Sequence, residues 1–366
     1  MVKVIISGGG TGGHVFPAIA IANAIKKILP DAGILFIGAM GKLEMEKVPA
    51  AGYTIEGLNI SGFQRRLTWK NLSFPVKVIS SLNRAEKIIR NFQPDVVIGV
   101  GGYASGPTLR IAARKKIPTL IQEQNSYPGI TNKLLGNKAT KICVAYEGME
   151  KFFPKEKLIL TGNPVRQDII LSEANREESL KFFNLRKDKK IVLVLGGSLG
   201  AGTINASIGS CLEQKITEKG FQFIWQTGKF YYEAISSNPL YSSNPDVKIC
   251  AFIERMDLAY NAADIVISRA GAIAISELCI IGKPLVLIPS PNVSEDHQTK
   301  NAMALVHKNA AILLKDSEAK EKLFQTLISL EEDKKKQNQL SKQLQAMGIP
   351  DAAQRIAEEA IGMIKK

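Results

Sequence analysis

Apolar runs that read as buried strands alternate, nearly end to end, with stretches of helical periodicity. Residues 2–6 form the first run, a glycine-dense segment follows at 7–13, and a helical pattern occupies 18–28. Further strand-like runs stand at 34–37, 190–195, 265–268 and 285–288. Strands that are apolar on both faces and separated by helices belong to parallel sheets covered on both sides, so the pattern predicts an α/β fold. The stretch 190–201 repeats the opening of the chain: a buried strand, a glycine turn with a hydroxyl residue, then a helix start rich in small residues. Two doubly wound parallel-sheet halves are therefore expected, residues 1–163 and 164–344, the second beginning after Asn163-Pro164. Residues 345–366 are expected to pack back on the first half. Their helix, starting at Asp351, gathers Ala353, Ile356, Ala357, Ala360 and Ile364 on one face, which needs a surface to bury it.

Composition agrees with two cored domains. The 366 residues exceed the size at which a single core keeps growing, and 45% are hydrophobic. Cys143, Cys211, Cys250 and Cys279 lie far apart without metal-ligand spacing, which fits a reducing compartment and argues against structural zinc. The uncharged stretch 4–25 is long enough to span a bilayer, but five glycines and a histidine interrupt it. No transmembrane span and no signal sequence is read, and a cytoplasmic location is expected.

The net charge of +14 is concentrated. Arg65, Arg66, Lys70, Lys77, Arg84, Lys87 and Arg90 face Glu86 alone, and Arg110, Arg114, Lys115 and Lys116 add to them. Leu67, Trp69, Leu72, Phe74, Val76, Val78 and Ile79 interleave with the first cluster. Basic residues around exposed apolar ones suit an anionic membrane surface, where each nearby Lys or Arg is attracted by about 1 kcal/mol. The alternative is a solvated helix face whose apolar residues are core. Nucleic acid is not expected, since no recognition-helix, RNA-binding or zinc-finger signature accompanies the charge.

Candidate chemistry begins at Ser7-Gly-Gly-Gly-Thr-Gly-Gly-His14. A glycine turn between strand and helix lets backbone N–H groups approach an anion or a sugar closely. His14 is one of only three histidines, and a titratable ring at such a mouth is a candidate base. Gly8-x-Gly10-x-x-Gly13 formally matches the dinucleotide fingerprint. That fingerprint also needs an acid at the end of the second strand, and no carboxylate follows until Glu44. Three readings stand: a phosphate or sugar loop of another kind, which the residues favour, a dinucleotide loop, and a packing turn. Later segments follow the same logic. Arg269 to Glu277 runs from a strand into a small-residue turn and a helix, where the N–H groups of Ala272 and Ile273 would face a diphosphate and Glu277 would accept from ribose hydroxyls. Glu295-Asp-His-Gln298-Thr-Lys-Asn301 suits sugar hydroxyls or a polar helix cap. Gln122-Glu-Gln-Asn125 and Gly162-Asn-Pro-Val-Arg166 each follow a strand, and Arg166 could clamp phosphate.

Taken together, GGGTGGHVFPA, GVGGYASGP, QEQN with GITNKLL, GNPVR, GGSLGA, SRAGAIAISE and DHQTKNA resemble, in order and spacing over the whole chain, the MurG family of UDP-N-acetylglucosamine transferases of peptidoglycan synthesis. The resemblance implies a GT-B architecture, two Rossmann-like domains with the substrates between them, no metal, no cofactor, and inversion at the anomeric carbon. It implies transfer of N-acetylglucosamine from UDP to the 4-hydroxyl of the muramyl sugar of undecaprenyl-diphosphate-linked muramoyl-pentapeptide (lipid I), at the cytoplasmic face of the membrane. By the same resemblance Thr11, Gly12 and Gly13 would lie against the donor sugar or departing diphosphate, and Asn125 would bond the sugar. Arg166 and Ser198 match diphosphate contacts, and Ile253 the backbone contact to uracil. The run Ala272, Ile273, Ala274, Ile275, Ser276 and Glu277 matches the diphosphate and ribose site, and Gln298 the sugar hydroxyls. Leu199 departs from the family's usual glutamine. His14 is the expected base, with Glu123 as runner-up. A UDP-sugar epimerase or a non-catalytic nucleotide-sugar binder is the competing reading on the same fold, and neither would need the basic apolar segment 65–79.

Overall fold

The computed structural model describes residues 1–60, 74–170, 175–197 and 199–364, apart from the side chains of Phe74, Gln167, Asp168 and Ser294. The chain divides into two compact units, Met1–Val165 with Ile349–Lys366, and Arg166–Gly348. In the first unit, β1 (Lys3–Ser7), β2 (Gly33–Ala39), β3 (Thr54–Leu58), β4 (Val96–Gly99), β5 (Thr119–Glu123), β6 (Lys141–Val144) and β7 (Leu158–Leu160) form a parallel sheet in the order β3-β2-β1-β4-β5-β6-β7. In the second, β8 (Lys190–Leu195), β9 (Phe221–Gln226), β10 (Val247–Cys250), β11 (Ile265–Ser268), β12 (Leu285–Leu287) and β13 (Ile312–Leu313) are parallel in the order β10-β9-β8-β11-β12-β13.

Both orders reverse direction once, between β1 and β4 and between β8 and β11. Helices leaving two adjacent strands toward opposite faces open a crevice at that switch point, outside the carboxyl ends of the strands. The motifs fall there in pairs. GGGTGGH follows β1 and GVGGYASGP follows β4, while GGSLGA follows β8 and SRAGAIAISE follows β11.

The central strands are buried on both faces, as their continuous Val and Ile runs require: Val4, Ile5, Ile6, Val96, Val97 and Ile98 are fully enclosed. One difference from the sequence pattern bears on the site. The first helix was expected from residue 18, yet it spans Gly12–Ile28, because Thr11 with φ −143° and ψ 159° takes the N-cap position. His14 therefore stands in the first helical turn rather than in the glycine turn.

The helix Ala352–Ile361 buries Ala352, Ala353, Ile356, Ala357 and Ala360, and packs against the helix Gly12–Ile28 in the same apolar cluster as Val15, Ala18 and Ile21. Lys141 on β6 forms an ion pair with Glu359 at its edge. Gly162 makes the return possible. Its φ is +79° and a Cβ there would stand 2.8 Å from Cβ of Ile349, so a glycine serves both the left-handed backbone and the close approach. Replacing the fully buried Ile356 with alanine removes that packing and is expected to lower the unfolding free energy by about 2–4 kcal/mol. Chemical denaturation monitored by circular dichroism checks this, and an unchanged midpoint would detach the helix from the first unit's core.

Candidate functional site

In the first unit the two switch-point loops meet backbone to backbone. Gly102, at φ +85°, leaves so little room that a Cβ would lie 2.3 Å from the carbonyl oxygen of Gly9. Gly9 N–H donates to the Gly101 carbonyl at 3.3 Å, and Gly8 N–H to the Ile37 carbonyl at 3.2 Å. A buried carboxylate completes the turn. Glu44, 1% exposed, accepts from Gly10 N–H at 2.7 Å and from Ala39 N–H at 2.9 Å. Gly9 and Gly38 make space for it, since a Cβ at either would come within 2.1 and 2.5 Å of its side chain. The acid that follows β2 thus holds the glycine loop itself.

Donors for a ligand include those of the helix start, where the N–H groups of Gly12 and Gly13 have no preceding turn to bond. His14 lies beside them, half-buried. Its ring lies over Gly101, where a Cβ would stand 2.8 Å from Nε2, and its Nδ1 is 3.3 Å from Thr11 Oγ1. Gln124 borders the same spot and is held by its amide on the Val100 carbonyl at 2.7 Å.

Glu123 is 2% exposed and both its oxygens are engaged. Oε1 accepts from Asn125 N–H at 3.0 Å and from Asn125 Nδ2 at 3.2 Å, and Oε2 from Gly129 N–H at 3.2 Å and Asn132 Nδ2 at 2.8 Å. Burial pushes its pKa up, opposed by these four hydrogen bonds. The arrangement clamps residues 125–132 and fixes Asn125 in the loop. Asn163 from GNPVR belongs to the same unit, accepting from Gln122 Nε2 at 2.9 Å and donating to the Gln124 carbonyl at 3.0 Å.

The second unit carries a cleft of about 340 Å³ at its own switch point. Of the expected residues, Arg166, Ile253, Ala274, Glu277 and Gln298 line it. Ala272 and Ile273 stand in the first turn of the helix Ala272–Ile281. Ile275 and Ser276 do not reach the cleft: Ile275 is 1% exposed and turned into the core, and Ser276 Oγ donates to the Ala272 carbonyl at 3.1 Å. Ser198 lies outside the described residues. Gln298 Oε1 accepts from Ala270 N–H at 3.2 Å and Ser290 N–H at 2.9 Å, which fixes the amide and turns its Nε2 donor the other way.

Sequence reasoning missed four neighbours. Tyr260 lines the cleft from the helix Met256–Ala262 and donates from its hydroxyl to Glu277 Oε2 at 3.3 Å. Gln226 ties the second glycine loop by donating to the Gly197 carbonyl at 3.1 Å. Arg269 donates to the Ile288 carbonyl at 2.9 Å and pairs with Asp316. Phe252, 47% exposed, stands at the rim beside Ile253. Arg269 lies within the SRAGAIAISE motif without a role read for it there, and Phe252 adjoins Ile253.

The profile of the Glycosyltransferase family 28 N-terminal domain matches residues 4–144, and that of the Glycosyltransferase family 28 C-terminal domain matches residues 191–356. The chain belongs to glycosyltransferase family 28. It is 55% identical over 364 residues to a Parabacteroides distasonis protein, spanning 100% of this chain and 99% of that one, and 54% identical to one from Flavobacterium psychrophilum, spanning 99% and 98%. Both are named UDP-N-acetylglucosamine--N-acetylmuramyl-(pentapeptide) pyrophosphoryl-undecaprenol N-acetylglucosamine transferase. The crystal structure of Acinetobacter baumannii MurG superposes with a TM-score of 0.82 at 26% identity over 99% of this chain and 100% of that one. A UDP-GlcNAc 2-epimerase from Neisseria meningitidis shares the fold at a TM-score of 0.67 and 16% identity, covering 99% of this chain and 100% of that one.

As a family-28 glycosyltransferase the chain is an enzyme of sugar transfer, and the dinucleotide reading of its first loop falls. Among the described residues no helix is long and apolar enough to cross a membrane. Of the basic apolar segment, residues 61–73 lie outside the described part. In the helix Phe74–Phe92, Val76 and Ile79 are exposed, Arg84 pairs with Glu56, and Glu86 takes both Arg114 and Lys115.

Glu44→Ala would strip the Gly10 and Ala39 N–H groups of their acceptor, at about 1–3 kcal/mol for each buried donor. The expected result is a fall of about 2–5 kcal/mol in unfolding free energy, with faster hydrogen exchange at Gly10. Unaltered exchange would show that the loop holds its shape without the carboxylate.

Proposed function

We propose that this glycosyltransferase moves N-acetylglucosamine from UDP-N-acetylglucosamine to the 4-hydroxyl of the muramyl sugar of lipid I, with inversion, at the cytoplasmic face of the membrane. The observation that carries the donor half is the cleft of the second unit, where Arg166, Glu277 and the oriented amide of Gln298 line one space. Those groups match what a nucleotide sugar offers: a diphosphate for a guanidinium and a helix N-terminus, a ribose diol for a carboxylate, and sugar hydroxyls for an amide. The names of relatives sharing more than half of all positions across the full chain support the acceptor half.

Inversion needs a single displacement. The acceptor oxygen attacks the anomeric carbon as the bond from that carbon to the diphosphate breaks; the electron pair leaves with UDP and the hydroxyl proton goes to a base. We assign that base to His14. When Nδ1–H donates to Thr11 Oγ1, Nε2 carries the lone pair, at the start of a helix whose first N–H groups remain for ligand. Arg166, the helix start at Ala272 and Ser198 would stabilise the charge that builds on UDP. Thr11, Gly12, Gly13 and Asn125 would position the transferred sugar. The lipid of the acceptor stays in the bilayer, and we assign contact with anionic headgroups to the basic apolar sequence beginning at Arg65 and Arg66.

Incubating the protein with labelled UDP-N-acetylglucosamine and a short-chain lipid I analogue should yield a lipid-linked disaccharide. Absence of that product, with release of an epimerised sugar instead, would favour the epimerase reading. His14→Ala should lower turnover by about 100-fold or more, the range for loss of a general base, and leave vesicle binding intact. Reversing the charge at Arg65, Arg66 and Lys70 should do the opposite, weakening adhesion to anionic vesicles while a soluble acceptor analogue still turns over. If adhesion survives the reversal, docking belongs to another face.

A further inference from the structure

We infer that Tyr260 is a positioning residue that aims Glu277 at the ribose of a nucleoside diphosphate, and that through it the cleft distinguishes ribonucleotides from 2′-deoxyribonucleotides. The inference rests on the reading of this cleft as the donor site and adds a residue that no motif marks.

Tyr260 is 2% exposed, so its hydroxyl has no bulk water to bond. Buried hydroxyls need a partner, and the partner here is Glu277 Oε2 at 3.3 Å. The two side chains come from different helices, Met256–Ala262 and Ala272–Ile281. Glu277 is a half-buried carboxylate on a chain with three rotatable bonds. The phenol's donation to one oxygen favours the rotamer that keeps the carboxylate at the cleft wall, which Ala274 shares one helical turn earlier. A carboxylate has room for about four hydrogen bonds, enough to take the phenol and the two hydroxyls of a cis-diol together. Burial, and then the charge of Glu277, raises the pKa of the phenol well above its ordinary value, while Arg166 acts against this. Tyr260 therefore stays protonated and a donor to Glu277 across the working range of pH.

Selectivity follows from geometry. A fixed acceptor that meets two hydroxyls loses a partner when one is missing, whereas a carboxylate free to rotate re-bonds to water. The test measures binding of UDP and of 2′-deoxy-UDP by calorimetry to the wild-type chain, to Tyr260→Phe, to Glu277→Gln and to the double variant, with circular dichroism on each. Tyr260→Phe is expected to weaken UDP by about three- to tenfold, part of a hydrogen bond to a carboxylate being kept when its aim loosens, and 2′-deoxy-UDP by clearly less. The preference for the ribonucleotide then shrinks, and the loss is not repeated when Glu277 is already glutamine. Equal weakening of both nucleotides, or losses that simply add in the double variant, would make Tyr260 a packing residue and overturn the inference. A wild-type chain that binds neither nucleotide would overturn the donor-site reading itself, whatever the variants do.

Discussion

Both units depend on backbones that touch where no side chain can stand. The carbonyl of Gly9 fills the place of a Cβ on Gly102, and in the second unit the backbone of Gly200 fills the place of one on Gly228, at 2.1 Å. A doubly wound sheet opens its crevice at the switch point only if the loops leaving the strands turn sharply and stay low. Any β-carbon at these glycines would prop the loops apart. The ring of His14 over Gly101 and the seat of Glu44 against Gly9 and Gly38 follow from the same absence of β-carbons. Glycine is required at these places for space as much as for its left-handed backbone.

One architecture then carries two electrostatic solutions. In the first unit a buried carboxylate bonds the glycine loop from within, so part of the loop's donor capacity is committed before any ligand arrives. In the second unit the loop after β8 is held by the neutral amide of Gln226 and opens on a cleft that includes the exposed guanidinium of Arg166. A carboxylate bonds one loop from within, while a guanidinium stands beside the other. Internal duplication of strand, turn and helix does not imply duplication of ligand.

This contrast marks what could be read from the sequence. Strand and helix order and the glycine loops were legible because each depends on local pattern: continuous apolar runs for buried strands, glycine where the chain turns. Glu44 was noticed only as an acid too late for a ribose. Its work depends on Gly10, 34 positions away, and on two glycines that leave it room. Tyr260 sits among apolar residues of a short helix, and nothing local distinguishes it from a core aromatic; its meaning comes from Glu277 on another helix. The run from Ala272 to Glu277 is a contrasting case, since only some of its side chains line the cleft. A helix rotates by about 100° per residue, so Ala274 and Glu277 share a face while Ile275 must point away from it. Reading a motif as a continuous lining ignores that rotation.

Glu123 and His14 show how the same physics separates two titratable groups in one unit. A general base must offer a lone pair to an incoming proton and afterwards release it. Glu123 accepts four hydrogen bonds from its own loop, two of them from backbone N–H groups, so protonating it would break bonds that shape residues 125–132. Its raised pKa reflects enclosure, and enclosure alone does not make a catalyst. His14 has the opposite situation: a half-buried ring, one nitrogen beside a neighbouring hydroxyl, and a place at the helix end where N–H groups face outward. In this family-28 fold the buried carboxylate of Glu123 is committed to its own loop, while the half-buried ring of His14 stands at a helix start.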